Sequence, residues 1–418
     1  MRKREAKVWH ETKLVGELSE NARGQLCFSY DASWLESGFP ISLNLPLDRE
    51  EHTSAAHAFF EGLLPEGATR QRLSRQYKLS THDVLGLLLR IGGDCAGALS
   101  VLPTEQSPST KELKAQPISL DDLERLLQSR GQSSISAAPQ RFSIAGAQDK
   151  IAVIINNNGL FTPNAYQPST HIIKFETIRW VCFAEYMAHQ LARSLKLTTA
   201  EITYCEHEKM PYLRISRYDR EHPSSGNIKR LHQEDLAQAM GYPSQTKYEQ
   251  DGGPSLAQIA TVIREHCDQP ARDIVRLSTW QIFNYLVGNS DGHAKNLSLL
   301  YRPNRSTPEL APFYDLVCIE FLNFIGVTSF DRSLAFLIGE HAEPEQISKE
   351  DWLLFAKSIQ VPAKTLLETL RHMADELPSL AKQARAQFTE HFADNQVYDD
   401  FEKSISKRCR WTLNNTLK

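Results

Sequence analysis

Short alternating runs open the chain. In residues 7–17 (Lys-Val-Trp-His-Glu-Thr-Lys-Leu-Val-Gly-Glu), apolar and polar side chains take turns around a polar bend, which predicts a hairpin. Residues 24–30 and the apolar run 41–47 extend this β unit. Then the period lengthens. Residues 55–64 repeat apolar positions at helical spacing, and Pro65 stops that helix. Residues 66–77 form a basic amphipathic segment with Arg70, Arg72 and Arg75, which reads as a solvated face or as a contact for DNA phosphates or an acidic partner. Thr81 is placed to cap a helix through residue 89, and Ile91-Gly92-Gly93 turns the chain into a strand over 95–102.

A polar, Pro- and Ser-rich stretch at 103–116 reads as a linker. A charged helix follows over 119–128, with Ser119 as its cap, and 132–139 is again rich in Ser, Ala and Pro. Strand patterns return at 151–155 and 160–161, around an Asn-Asn-Asn-Gly turn, and at 170–175, 201–205 and 212–218, with a helix over 183–195. Beyond about residue 230 the pattern is helical: 234–240, 255–266, 271–286, a block over 349–395, and 399–414. One interruption stands out. The apolar runs 297–301 and 310–314 flank a turn-rich segment, which predicts a hairpin. Paired strands lie about 5 Å apart, so this hairpin would return Asp315 to the side of Asn296.

Composition sets broad limits. The 418 residues are 41% hydrophobic and 23% charged, which describes an ordinary globular chain with two or three packed units. The net charge of −4 argues against a surface built mainly to hold nucleic acid. No apolar run reaches membrane-spanning length, and the basic N-terminus lacks the apolar stretch of a signal peptide. The seven cysteines are scattered without a C-x-x-C pair, as expected for reduced thiols in a cytoplasmic protein.

The candidate chemistry lies in Ser-Asp-Gly-His-Ala-Lys-Asn at 290–296, followed by Phe-Tyr-Asp at 313–315. An Asp and an Asn five positions apart, with a second Asp downstream, is the spacing of protein-kinase-type phosphotransferases. Asp291 would accept or orient the proton of an attacking hydroxyl, while Asn296 and Asp315 would hold Mg²⁺ against the phosphates of ATP. Taken alone, Asp291-Gly292 is also an ordinary turn dipeptide. His293 would orient this loop or touch a phosphate, or else simply pack. Lys174 ends a β run, where a kinase lysine reaches ATP, and Glu185 on the next helix could pair with it. The small residues of Ser-Ile-Ala-Gly-Ala-Gln-Asp-Lys at 143–150 would let backbone N–H groups approach a phosphate, though a plain connecting loop fits as well. Together the layout predicts an α+β, two-lobed protein-kinase-like fold, with a mixed α/β N-terminal lobe and a mostly α-helical C-terminal lobe.

Several segments, in order and spanning nearly the whole chain, resemble the HipA family of bacterial toxin–antitoxin serine/threonine kinases. They are Phe-Phe-Glu-Gly-Leu-Leu-Pro-Glu (59–66), the 143–150 segment, Thr-His-Ile-Ile-Lys (170–174), Arg-Tyr-Asp-Arg (217–220), Gln-Glu-Asp (233–235), Lys-Tyr-Glu (247–249) with Asp-Gly-Gly-Pro (251–254), Asp-Gly-His-Ala-Lys-Asn (291–296) and Pro-Phe-Tyr-Asp (312–315). The resemblance implies an extra N-terminal subdomain at 1–104, a kinase N-lobe part with a phosphate loop at 105–230 and a helical C-lobe at 231–418. It implies Asp291 as the base, and Asn296 and Asp315 as Mg²⁺ ligands. Lys174 would contact the ATP phosphates, and Ala145, Gly146, Ala147, Gln148, Asp149 and Lys150 would cover the nucleotide. Ser216, Arg217 and Tyr218 would meet the adenine through backbone groups. Gln233, His293, Ala294, Lys295 and Tyr314 would line the site. Ser143 matches a serine that the family autophosphorylates, and a phosphate there would act as an off-switch. The implied partners are a HipB-like helix-turn-helix antitoxin and a protein substrate, with glutamyl-tRNA synthetase as family precedent. The mixed charge of residues 346–351 makes DNA contact mainly indirect, through the antitoxin. A catalytically silent co-repressor and a small-molecule kinase are the alternatives; intact Asp291, Asn296, Asp315 and Lys174 argue against the first, and the N-terminal β unit with 145–150 against the second.

Overall fold

The computed structural model describes residues 4–21, 24–49, 51–108, 115–128, 150–163, 167–221, 228–303, 305 and 307–418. They form two compact units. The first comprises residues 1–175, 205–245 and 298–304; the second comprises 176–204, 246–297 and 305–418.

The first unit opens with a five-stranded sheet in the order β4-β3-β2-β1-β5: β1 (Glu5–His10), β2 (Lys13–Glu20), β3 (Leu26–Tyr30), β4 (Glu51–His52) and β5 (Leu99–Pro103). Ala6, Val8, Leu18 and Phe28 enter by strand alternation, and Val15 by a register shift opposite Val8 and Trp9, into a core shared with Phe59, Phe60, Leu85 and Leu88 of the helices Ser54–Gly62 and Val84–Ile91. The run at 41–47 is not a strand. It wraps the buried Tyr30 hydroxyl, which donates to the Leu45 carbonyl (2.5 Å) and accepts from the Ile41 N–H (3.0 Å). The helix Val84–Ile91 is capped by Asp83, whose carboxylate accepts from the Gly86 N–H (2.8 Å); Thr81 instead gives its carbonyl to Arg70 Nε (2.7 Å). Arg70 also pairs with buried Glu61 (3.1 Å), so it is neither solvated nor available to DNA, while Arg75 is exposed.

A six-stranded sheet follows in the order β10-β11-β9-β7-β8-β6. Its strands are β6 (Gln116–Pro117), β7 (Lys150–Asn156), β8 (Gly159–Thr162), β9 (His171–Phe175), β10 (Ile202–His207) and β11 (Met210–Ser216). The helix Leu120–Gln128 packs Leu123 against Ile151, Val153 and Ile173. Ser119 caps it, its hydroxyl accepting from the Asp122 N–H (3.1 Å). The pair β12 (Arg220–Glu221) and β13 (Lys229–Arg230) leads into β14 (His232–Asp235), which pairs with β15 (Ser298–Tyr301). Residues 234–240 are therefore only half helical. β15 holds 234–235 extended, and the one-turn helix Leu236–Ala239 starts where Asp235 and Gln238 form a capping box.

A buried ionic cluster joins the parts of this unit. The Asp94 carboxylate accepts from the Ser169 N–H (3.0 Å) and hydroxyl (2.6 Å), from Arg220 (3.0 Å) and from Arg230 (3.2 Å). Asp219 accepts from Arg217 (2.7 and 2.9 Å), Gln233 (3.1 Å) and the Gly97 N–H (2.8 Å). Gly97 sits at φ +74°, and a Cβ there would lie 2.9 Å from both backbone N and O of Gln233. Gly97→Ala should therefore destabilise this unit by on the order of 2 kcal/mol in urea unfolding, combining left-handed strain with the clash.

The second unit is helical: Val181–Ser194, Leu256–His266, Pro270–Val287, Ile319–Phe324, Lys349–Ser358, Ala363–Thr389 and Val397–Trp411. Phe183 stacks on Tyr398 (4.5 Å) and meets Phe388, Phe401 and Phe321 edge-on. Trp280, Phe283 and Tyr285 are fully buried along the helix Pro270–Val287, which begins with proline at its first turn and ends at left-handed Gly288. Ser348 and Asp351 form a capping box, and Asp351 also takes His341 (2.9 Å), so the 346–351 segment is structural.

The hairpin expected over 297–314 is present in shortened form: β16 (Glu309–Leu310) lies beside β15 in the sheet order β14-β15-β16, and residues 311–314 run on outside that strand, held by other groups. Buried Asp273 accepts from the Leu310 N–H (3.0 Å), and Arg276 donates to the Leu310 and Ala311 carbonyls (2.5 and 2.8 Å). Phe313 then bridges residues 198–200: its N–H donates to the Thr198 carbonyl (2.9 Å) and its carbonyl accepts from the Ala200 N–H (2.8 Å). No helix among the described residues is long and apolar enough to cross a membrane. All seven cysteines are free thiols, six of them buried.

Candidate active site

The loop that leaves Gly288 carries Asp291 and Asn296. Gly292 is needed where the loop passes its own helix, since a Cβ there would lie 2.7 Å from Asn284 Nδ2. Residues Ala294–Asn296 close a single 3₁₀ turn, and Asn296 Oδ1 accepts from the His293 N–H (3.0 Å). This turn buries Ala294, Lys295 and Asn296, while the Asp291 side chain remains 56% exposed.

Asp315 meets this turn. Asn296 Nδ2 donates to Asp315 Oδ2 at 3.5 Å, and the Tyr314 hydroxyl donates to the Lys295 carbonyl (2.6 Å). Asp315 holds φ +53°, a left-handed conformation rare outside glycine and asparagine. Backbone strain of this kind collects at functional sites. An amide and a carboxylate side by side are hard oxygen donors of the kind Mg²⁺ takes. The Asn296 carbonyl oxygen keeps a second lone pair beyond the one used by His293. Among the described residues no group of three or more His, Cys, Asp or Glu is arranged to hold a metal. The pair is therefore a partial shell, suited to an ion that arrives with phosphate oxygens and water.

His293 lies 3.8 Å from Asp291 through Nε2. Burial, then the Lys247 and Lys295 ammonium groups, push its pKa well below the usual value, so the ring is neutral. The Tyr248 hydroxyl donates to Asp291 Oδ1. Only family resemblance flagged the segment around Tyr248; nothing in its composition predicts a hydrogen bond across 43 residues.

In the first unit, β7 and β9 pair Lys150 directly with Lys174. Lys174 is 4% exposed and Lys150 half-buried. The register sets two lysines side by side on neighbouring strands, where an opposite charge nearby is favourable. Glu185 is buried on the helix Val181–Ser194. Ser216 ends β11, opposite His171. The Arg217 side chain is consumed by the ionic cluster, and its N–H donates to the Thr170 carbonyl (2.9 Å). The Tyr218 hydroxyl donates to Gln233 Oε1, linking both residues to Asp219. Ser143, Ala145, Gly146, Ala147, Gln148 and Asp149 lie outside the described residues. Sequence reasoning missed Asp94 altogether. Its one signal was a lone acid after a Gly-Gly turn.

Comparison with known proteins gives a consistent family. The model for the HipA N-terminal domain matches residues 6–102, and that for the HipA-like C-terminal domain matches residues 142–381. Y4mE of Sinorhizobium fredii is 30% identical over 414 residues, covering 96% of this chain and 97% of its own. The serine/threonine-protein kinase toxin HipA of Shewanella oneidensis is 27% identical over 381 residues, covering 87% and 86%. A chain of the Shewanella oneidensis complex of HipA, HipB and operator DNA superposes with a TM-score of 0.85 over 98% of both chains at 24% identity, which establishes the shared mixed α/β fold. By the extent of both domain matches and the near full-length relative, the chain belongs to the HipA family.

Proposed function

We propose that the chain is a Mg-ATP-dependent serine/threonine protein kinase and the toxin of a toxin–antitoxin pair. The observation that carries this reading is the loop that starts at Asp291 and delivers Asn296 to Asp315. Asp291 would take the proton of an acceptor hydroxyl as its oxygen bonds to the γ-phosphorus and the bond to the ADP oxygen breaks. Asn296 and Asp315 would hold Mg²⁺, which when bound neutralises phosphate charge. Lys150 and Lys174 would hold phosphate oxygens, and His293, Ala294, Lys295 and Tyr314 would shape the loop. Ser216, Arg217 and Tyr218 would meet the adenine through backbone groups, near Gln233. Ala145 to Asp149 would cover the nucleotide. Catalysis here is positioning and charge compensation.

The relative named HipA is described as a serine/threonine-protein kinase toxin, and the superposed structure holds HipB and operator DNA. Those names support a HipB-like antitoxin as partner and a growth-inhibiting role. An aminoacyl-tRNA synthetase is the proposed target class.

The test is incubation with γ-labelled ATP and Mg²⁺. Label should enter the chain at Ser143, and Ser143→Ala should lose it. Lys174→Met should raise the KM for ATP at least about tenfold, the size expected when a charge-assisted phosphate contact is lost. A chain that neither labels itself nor hydrolyses ATP would sink the proposal.

A further inference from the structure

We propose that Tyr248 is a positioning residue for phosphoryl transfer: its hydroxyl fixes the Asp291 carboxylate in the orientation that receives the acceptor's proton. The inference rests on the reading of Asp291 as the base. Asp291 is an exposed side chain on a loop, with two side-chain torsions that must be set for its carboxylate to face an acceptor. Hydrogen bonding of Oδ1 to the Tyr248 hydroxyl sets the plane of the carboxylate and hence the direction in which Oδ2 accepts.

Tyr248 can do this because it is itself held. Its ring meets the buried His293 imidazole edge-on, with centroids 5.3 Å apart at 87°. Its carbonyl accepts from the Gly253 N–H (2.9 Å), and the preceding Lys247 carbonyl accepts from the Ala294 N–H (3.3 Å). Glu249, next along, is bound at both ends: its N–H donates to the Ala335 carbonyl (3.1 Å), and its carboxylate accepts from the Leu337 N–H (2.9 Å). Gly253 has no room for a side chain, since a Cβ there would sit 2.7 Å from the Thr246 and Tyr248 carbonyls. A segment anchored on both sides of the tyrosine is a brace. A mobile gate would lack these bonds.

Tyr248→Phe keeps the ring on His293 and removes only the hydroxyl. Misplacing a catalytic group by about 1 Å costs roughly 10²-fold, so this variant should lower kcat by about 10–100-fold with the KM for ATP unchanged. The measurement is single-turnover phosphate release and self-labelling from γ-labelled ATP with Mg²⁺. It is made on the full chain as parent, Tyr248→Phe, Asp291→Asn and the double variant, with thermal unfolding as the check on folding. Positioning through Asp291 predicts that Tyr248→Phe has no further effect in the Asp291→Asn background. Full activity of Tyr248→Phe beside an inactive Asp291→Asn would overturn this inference and leave the base reading standing. An equal loss in both backgrounds, or a rise in KM with kcat intact, would also overturn it, because either marks a structural role. A fully active Asp291→Asn, or an inert parent, would remove the base reading and this inference with it.

Discussion

Asp291→Asn should lower phosphate transfer by about 10²–10⁴-fold, the range a positioned general base supplies, with ATP binding and the unfolding midpoint unchanged. The structure explains why the fold should tolerate it. The Asp291 side chain is more than half exposed, and the loop around it is fixed by other groups: Gly288 ending its helix, Gly292 passing Asn284, and the His293–Asn296 turn. Asn can still accept from Tyr248, so the brace survives while the proton acceptor is lost. Growth inhibition on expression should disappear in parallel, provided the proposed toxin activity depends on phosphate transfer. Retained transfer would contradict the assignment of Asp291. Loss of both transfer and ATP binding would point to a collapsed loop.

The fold was largely legible because its signals are local. The 5–20 hairpin follows from alternation, and Ser119 announces the helix Leu120–Gln128 through a cap that lies within four adjacent residues. The α+β class likewise follows from the change of period along the chain. Where reading failed, a distant partner had overridden local pattern. Residues 41–47 look like a strand, but a tyrosine hydroxyl from β3 takes their backbone groups. Residues 310–314 look like one continuous return strand of a hairpin, but the strand β16 ends at Leu310, and Arg276 and the 198–200 segment claim Ala311 and Phe313. Candidate site residues could be named from spacing, since Asp291 and Asn296 share one loop. Their surroundings could not. The Lys150–Lys174 register, the Tyr248 hydrogen bond and the cluster around Asp94 all join segments tens of residues apart.

That cluster carries the other large effect: Asp94→Asn should destabilise the first unit by about 3–5 kcal/mol, the usual result of removing one partner from a buried ionic group. Two carboxylates, Asp94 and Asp219, face three guanidinium groups, Arg217, Arg220 and Arg230, and Asp94 is fully buried. Removing one negative charge leaves three cations around one anion, with little water to solvate them. Burial alone would raise the Asp94 pKa, but Arg220, Arg230, Arg217 and Ser169 outweigh it and hold the carboxyl below its usual range. Asp219 is likewise lowered, chiefly by Arg217 and Arg220 against burial. For a carboxylate depressed in the folded state, the stabilisation is complete above the unfolded value of about 3.9 and fades as pH falls through the lower folded value. The parent should therefore keep this contribution throughout neutral and mildly acidic pH. The deficit of Asp94→Asn should be constant there and shrink only in strong acid. Urea unfolding at a series of pH values reads both features. The variant should also bind ATP more weakly if the adenine assignment is right, because Asp219 anchors Gln233, and Gln233 in turn takes the Tyr218 hydroxyl. A deficit below about 1 kcal/mol, the range of exposed ion pairs, would mean that water reaches the cluster. In that case the guanidinium groups need no buried counter-charge, and Asp94 is not what ties Ser169 to Arg220 of β12 and Arg230 of β13.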